Sequence, residues 1–228
     1  LEFINMASFS AAATEETGIS THQLENGMTL LVQPMPWLRT AAFTLAVRGG
    51  VQQEADDLSG LASMVCEMVQ RGAGHHSSRD LVAVQDNLGM DRNSGVSTAT
   101  ASFGAAMPAE SLSDGLKLYA DIVRRPHLPA NQLDDARMMM IQELRAIEDE
   151  PPQRVMRRVR EMQYGRRLGR SSQGTMESLQ KITSEDVRDF YVANYHAGGA
   201  ILTVAGNVDP VAVVEQAEQL FGDWHGLE

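Results

Sequence analysis

The chain of 228 residues contains a single cysteine, Cys66. A disulfide within the chain is therefore impossible, and metal sites built from several cysteines are excluded. Positive charge is also scarce, since 19 Lys and Arg stand against 30 Asp and Glu and give a formal net charge of -11. Binding to nucleic acid or to an anionic membrane surface needs a basic face, so this balance argues against both functions.

Long apolar runs are missing as well. No stretch approaches the roughly 18 residues of a membrane-spanning helix, and no basic segment precedes an apolar one as in a signal peptide. We therefore expect no membrane span and a cytoplasmic location, with periplasmic export left open if the N-terminus was trimmed. The residues before Met6 resemble a cloning-vector remnant, so we predict an N-terminal extension over 1–18 and one domain over 19–228.

Hydrophobic residues make up 43% of the chain, which is enough for a buried core, and their spacing predicts both strands and helices. The Asn26-Gly27 pair predicts a tight hairpin between two strands, because both residue types tolerate positive φ angles. A third strand is predicted over 41–47, a strand pair within 90–107 and a buried strand over 200–206.

Elsewhere, apolar residues recur at helical spacing, and the segments are bounded by capping residues, glycine or proline. Helices are predicted over 57–71, 77–88, 109–124, 130–148, 151–164 and 210–224, with two short helices beginning at Thr175 and Thr183. Residues 165–174 are predicted to form a loop. Runs of strands followed by runs of helices are typical of an α+β protein, here a two-layer sandwich with a mainly antiparallel sheet packed against helices.

Several short segments, taken in order, resemble peptidase family M16, the pitrilysin or mitochondrial-processing-peptidase family. The segments are Leu24-Glu25-Asn26-Gly27, Gly60-Leu61-Ala62, Leu88-Gly89 with Asn93, Glu143-Leu144, Tyr164-Gly165, Gly174-Thr175 and Gly206-Asn207-Val208-Asp209-Pro210. Each is weak alone, but together they span most of the chain. The resemblance implies the LuxS/MPP-like metallohydrolase fold.

In active members, the resemblance implies an H-x-x-E-H motif whose two histidines bind zinc and whose glutamate is the general base, with a glutamate from a later helix as third ligand. Aligned without a gap, Ser63 stands at the first histidine position, Cys66 at the general-base position and Glu67 at the second histidine position. Only Glu143 matches the third ligand. We therefore predict no catalytic residues, no zinc and no peptidase activity of the chain alone.

Two other interpretations of these residues stay open. Glu67 and Glu143 could offer oxygen ligands in an atypical metallopeptidase, although two carboxylates suit harder cations better than zinc. They could equally be solvated, or pair with an arginine. Cys66 could be a thiol nucleophile, but a small buried residue facing away from the motif is the favoured interpretation.

Other residues that could bind metals or charged partners have simpler interpretations. The adjacent pair His75-His76 is predicted to lie at the surface, since neighbouring side chains point apart. Met138-Met139-Met140 are expected to pack in the core. The arginines could form a basic face for an acidic partner or peptide, or a solvated helix face. They are Arg154, Arg157, Arg158, Arg160, Arg166, Arg167 and Arg170.

The strand after the family's asparagine motif pairs, in that family, with an extended substrate peptide. The corresponding residues are Asn93, Ser94, Gly95, Val96 and Ser97. This edge could bind a peptide or be covered by a partner domain. The sequence thus predicts a non-catalytic half or subunit whose partner is a second M16 domain or a catalytic M16 subunit. The alternatives are an active zinc peptidase with atypical ligands and a purely structural subunit.

Overall fold

The computed structural model describes residues 18–225, which build a six-stranded sheet. Its strands are β1 (Ser20–Gln23), β2 (Thr29–Pro34), β3 (Thr40–Val47), β4 (Asp91–Val96), β5 (Ala101–Pro108) and β6 (Ile201–Gly206). Their order in the sheet is β1-β2-β6-β3-β5-β4. Only β2 and β6 pair in parallel, so the prediction of a mainly antiparallel sheet is confirmed.

The helices follow the predicted segments closely. They are α1 (Leu61–Met68), α2 (Ser78–Asn87), α3 (Leu112–Arg124), α4 (Leu133–Glu148), α5 (Pro151–Leu168), α6 (Met176–Lys181), α7 (Ser184–Asn194) and α8 (Pro210–Phe221). Capping boxes at Ser77, Thr175 and Thr183 begin α2, α6 and α7. Each supplies partners for amides that a helix start would otherwise leave unpaired.

The hydrophobic core lies between one face of the sheet and the helices. Along β3, Phe43, Leu45 and Val47 are buried while the residues between them are more exposed. Side chains alternate across a strand, so this pattern means that one face of β3 is covered and the other is not. Met64 of α1 and Tyr119 of α3 are fully buried against that core, which gives a two-layer arrangement.

The hairpin predicted at Asn26-Gly27 is present, since Leu24 N–H donates to Met28 O at 2.9 Å and Gly27 N–H donates to Leu24 O at 3.0 Å. β1 and β2 are joined by residues 24–28, and of the pair only Gly27 has a positive φ, at 84°. Asn26 also serves a longer-range contact: its Nδ2 donates to the carbonyl oxygens of Phe221 at 2.5 Å and of Trp224 at 3.3 Å. The hairpin is thereby attached to the end of α8.

The boundaries of two helices also differ from prediction. α1 begins at Leu61, because Gly60 before it adopts φ 93° and stops the helix from extending back to residue 57. α5 continues to Leu168 across a break at Gly165, whose φ is 72°, so the predicted loop is shorter than expected. No helix within residues 18–225 has the length and apolar character needed to cross a membrane.

Candidate functional site

A cleft of about 480 Å³ lies between α1, β4, α4 and the segment that follows α5. Its lining residues are Ser63, Cys66, Glu67, Ser94, Gly95, Val96, Met139, Met140, Glu143, Ser172 and Gln173. The cleft therefore brings together the three residues that the resemblance aligns with the metal motif, the aligned Glu143 and part of the predicted peptide edge. Asn93 lies on β4 and Ser97 just beyond it, and neither lines the cleft.

The burial pattern of α1 explains why Ser63 and Glu67 face this cleft. The other residues of the helix are all buried. Positions four apart share a helix face, so the two remaining residues are presented together on the outward side. The resemblance to family M16 implies that active members carry their two histidines on this face of the helix.

Glu67 forms an ion pair with Arg71 one turn further along the chain. Its Oε1 lies 3.0 Å from Nη2 and 3.1 Å from Nε of that guanidinium. Nη2 also contacts Sδ of Met139 at 3.2 Å, and the arginine side chain is only 14% exposed. A protein cation thus balances the carboxylate, as one of the sequence interpretations expected.

Glu143 lies on the exposed side of α4, opposite α1. The buried face of α4 consists of Leu133, Ala136, Met140 and Leu144, and the neighbouring Glu143 projects toward the cleft. Within the described part of the chain, no ion pair links Glu143 to a basic side chain. It is therefore the carboxylate of the cleft that is available to a ligand.

Cys66 lines the cleft from its buried side, against β4. Burial raises the pKa of the thiol to about 12; the neighbouring Glu67 charge adds to the rise, while hydrogen bonds with Ser94 and Gly95 oppose it. The thiol is protonated at neutral pH, which does not suit a nucleophile. Cys66 is buried, as expected, and lies against β4 rather than on the outward face that Ser63 and Glu67 share.

β4 is an edge strand, paired on one side with β5. Gln70 fastens it to α1, since its Nε2 donates to Cys66 O at 2.8 Å and to Ser94 Oγ at 3.2 Å. Ser97 N–H donates to Thr100 O at 2.8 Å. Antiparallel ladders alternate, so we infer that the amides of Ser94 and Val96 point away from β5, toward the cleft side.

These donors do not fit a catalytic zinc ion. A serine hydroxyl is a poor ligand, the Cys66 thiol holds its proton, and Glu67 is already paired with Arg71. Between residues 18 and 225, no group of three or more His, Cys, Asp or Glu is placed to hold a metal ion. We therefore derive no hydrolytic step at this cleft.

The remaining sequence candidates lie elsewhere. His76 sits in a tight turn, where its N–H donates to Ala73 O at 2.9 Å, and neither it nor His75 lines the cleft. The prediction of core packing for three consecutive methionines is wrong for Met138 and Met139, which are more than half exposed. Successive residues spread around a helix, so only Met140 reaches the core.

Arg154, Arg157, Arg158 and Arg160 of α5 lie at the surface, but Arg170 does not belong with them. Arg157 and Arg158 pair with Glu148 and Glu161, at 3.3 and 3.1 Å. The side chains of Arg166 and Arg167 lie outside the described part of the structure. Arg170 is only 8% exposed and turns inward, so grouping it with a basic face was wrong.

Arg170 turns toward Glu54, a residue that sequence reasoning missed. The Glu54 side chain has no exposed surface, and burial raises the pKa of its carboxyl to about 7, against the lowering effect of hydrogen bonds and of Arg170. No local pattern marks this glutamate, because its partner lies 116 positions along the chain.

Comparison with known proteins gives matches along nearly all of the chain. The family model described as Insulinase (Peptidase family M16) matches residues 31–176, and the one described as Peptidase M16 inactive domain matches residues 181–228. An uncharacterized zinc protease of Rickettsia felis is 25% identical over 200 residues, which cover 87% of this chain and 48% of the relative. The mitochondrial-processing peptidase subunit beta of Saccharomyces cerevisiae is 23% identical over 214 residues, which cover 93% of this chain and 46% of that relative. This chain thus spans about half the length of these relatives.

Solved structures share the fold. The periplasmic protease PqqL from Escherichia coli matches with a TM-score of 0.85 at 20% identity, over 96% of this chain and 25% of that one. The peptidase M16 inactive domain from Pseudomonas fluorescens matches with a TM-score of 0.82 at 19% identity, over 92% of this chain and 52% of that one. The predicted two-layer α+β fold is confirmed.

Proposed function

The chain belongs to the Insulinase family (peptidase family M16), and from that premise we propose that it is a catalytically degenerate member. It holds an extended peptide in the cleft beside β4 and works together with a second M16 domain or a catalytic M16 subunit. The observation that supports this proposal most directly is the set of residues that line the cleft. The strand edge is open, while the residues at the motif positions form an ion pair and a protonated thiol in place of a zinc site.

The proposal of peptide binding is supported by the edge of β4 that is not paired with another strand. A strand added there would use the backbone groups of Ser94 and Val96, which need no metal. The cleft alongside offers side-chain pockets of mixed character, with Met139 and Met140 as apolar contacts and Glu143 as an available carboxylate. An extended peptide with an apolar residue and a basic residue facing the cleft suits this lining.

The proposal of a partner domain is supported by the exposure of α5. None of its described residues is buried, although isolated helices of this length are marginal and need tertiary packing. Its exposed large apolar residues are Val155, Met156, Val159, Met162, Tyr164 and Leu168. The relatives are about twice as long as this chain, so a further domain is available in them to cover such a surface.

Two measurements on the purified chain test the absence of catalysis. Unstructured peptides are incubated with the protein in the presence of zinc, then after chelation, and cleavage is followed by mass spectrometry. We expect no cleavage in either condition. Cleavage that disappears on chelation and returns with zinc would establish the alternative, an active peptidase with atypical ligands.

Peptide binding is tested with a matched pair of substitutions at Ser94. Ser94→Pro removes an amide donor from the open edge, whereas Ser94→Ala removes only the hydroxyl that Gln70 contacts. With a library of short fluorescent peptides, anisotropy should show binding to the wild type and to Ser94→Ala, and at least about tenfold weaker binding to Ser94→Pro. No binding to the wild type would favour the purely structural subunit.

A further inference from the structure

Glu54 and Arg170 connect the two walls of the cleft. Glu54 lies before α1, which carries Ser63 and Glu67 on one wall. Arg170 lies just before Ser172 and Gln173, which line the other. Nη1 of the arginine is 3.6 Å from Oε2 of the glutamate, close enough for an ion pair but too far for a hydrogen bond.

On the α1 side, the Glu54 carboxylate caps the start of the helix. Its Oε1 accepts hydrogen bonds from Gly60 N–H at 3.1 Å and Ala62 N–H at 3.0 Å. These amides have no carbonyl partner within the helix, and a negative charge at a helix N-terminus is favourable. One oxygen therefore fixes α1, and the other faces Arg170.

On the opposite side, Arg170 holds the beginning of the segment that follows α5. Its Nη1 donates to the carbonyl oxygens of Glu54 at 3.1 Å and Ala55 at 2.9 Å, and its Nη2 donates to Asp56 at 2.5 Å. The end of the segment is held separately, because Gly174 packs against the backbone of Gly60.

Resting on the proposed function of the cleft, we infer that Glu54 is a positioning residue whose negative charge keeps residues 171–173 closed against α1 and so sets the width of the peptide cleft. The cap on α1 needs only an oxygen acceptor, which a neutral side chain also provides. The contact with Arg170 needs the charge. Loss of the charge should therefore loosen the segment wall while leaving α1 in place.

The charge on Glu54 is sensitive to pH near neutrality, because burial raises its pKa to about 7. Arg170 is the charged side chain facing Glu54 in the described structure, and Asp56 lies on the far side of the same guanidinium, almost fully exposed. If residues 171–173 open while α1 stays in place, Glu54 keeps its cap contacts but loses Arg170, whose charge lowers its pKa, so opening raises that pKa further. Relative to this open state, residues 171–173 should be held more firmly above pH 7 than below it, and a peptide should bind more tightly there.

Hydrogen exchange on the protein without peptide tests this directly. Corrected for intrinsic rates, the protection of amides in 171–174 should fall about tenfold in the wild type from pH 8 to pH 6, equivalent to ~1.4 kcal/mol. Glu54→Gln, which keeps the acceptor oxygen, should show the low value at both pH values. Asp56→Asn, the same chemical change on the exposed partner of Arg170, should behave like the wild type.

Amides within α1 report whether the fold survives, and they should stay protected in Glu54→Gln. If α1 loses protection, Arg170→Gln leaves the cap untouched, and in this variant the difference in protection of 171–174 between pH 8 and pH 6 should disappear. Wild-type protection of 171–174 in both variants at pH 8 would overturn the inference. The exchange measurement uses no peptide, so it tests the role of Glu54 even if the chain binds no peptide. If the chain binds peptide but the protection of 171–174 does not depend on pH, the proposed function stands and the inference about Glu54 is refuted.

Discussion

Arg71 Nη2 lies 3.0 Å from Glu67 Oε1, so a guanidinium balances the carboxylate at the position where active relatives are expected to carry a zinc-binding histidine. Glu67 lies in the last turn of α1 and Arg71 follows just beyond the end of the helix, and both side chains are partly shielded from water. The positive charge beside Glu67 in the cleft is thus the guanidinium of Arg71.

Restoring imidazole should restore metal binding. In Ser63→His/Glu67→His, two histidines would share the outward face of α1 opposite Glu143, which completes the donor set of a family zinc site. We expect about one zinc ion per chain by elemental analysis after gel filtration, and no zinc in the wild type. Adding Glu143→Gln to the double variant should weaken zinc binding. Equal zinc content with and without Glu143 would place the ion elsewhere.

The Cys66 thiol should be almost unreactive in the folded protein. Its pKa is raised to about 12 from 9, so at pH 8 the thiolate fraction is lower than that of an ordinary cysteine by a factor on the order of a thousand. Disulfide-exchange reagents should react at least about a hundredfold faster after unfolding in urea. Fast labelling under native conditions would contradict the buried, protonated thiol.

Global stability should depend on the ionisation of Glu54. Because its pKa rises from 4.5 to about 7 on folding, the stability that it contributes is fully present below pH 4.5 and is lost as pH rises through 7. The loss is on the order of 3 kcal/mol at most, at ~1.4 kcal/mol per pKa unit. Urea unfolding of the wild type and of Glu54→Gln from pH 5 to pH 8 measures it. The free-energy difference between the two proteins should change over this range, and a constant difference would contradict the prediction.

The contact between Gly60 and Gly174 should tolerate no side chain. Both residues have positive φ, and a Cβ on Gly174 would lie 2.3 Å from Ser59 O. Alanine at either position should lower the free energy of unfolding by roughly 1–3 kcal/mol. Gly95 in β4 is the control, since it has open space around it and its alanine variant should change stability by less than about 0.5 kcal/mol. Equal effects at all three positions would refute this packing.

Much of the architecture could be predicted from local pattern. The capping residues Ser77, Thr175 and Thr183 begin helices because their side chains pair with amides only three positions away. The helical spacing of the apolar residues around Met64 likewise predicted a helix with a buried face. The turn at Asn26-Gly27 was predicted as well, but the contact of the Asn26 side chain with the end of α8 was not, because Phe221 lies 195 positions away in the sequence.

The sequence by itself determined that Ser63 and Glu67, and no histidine, stand at these two positions, because the identity of a residue is independent of packing. Only the tertiary structure decided that Cys66 meets β4, that Arg170 turns inward to Glu54 and that α5 remains exposed. The physical reason is the range of the interactions. Periodicity and capping depend on residues within a few positions of each other, whereas burial of a charge depends on which distant segments the folded chain brings against it.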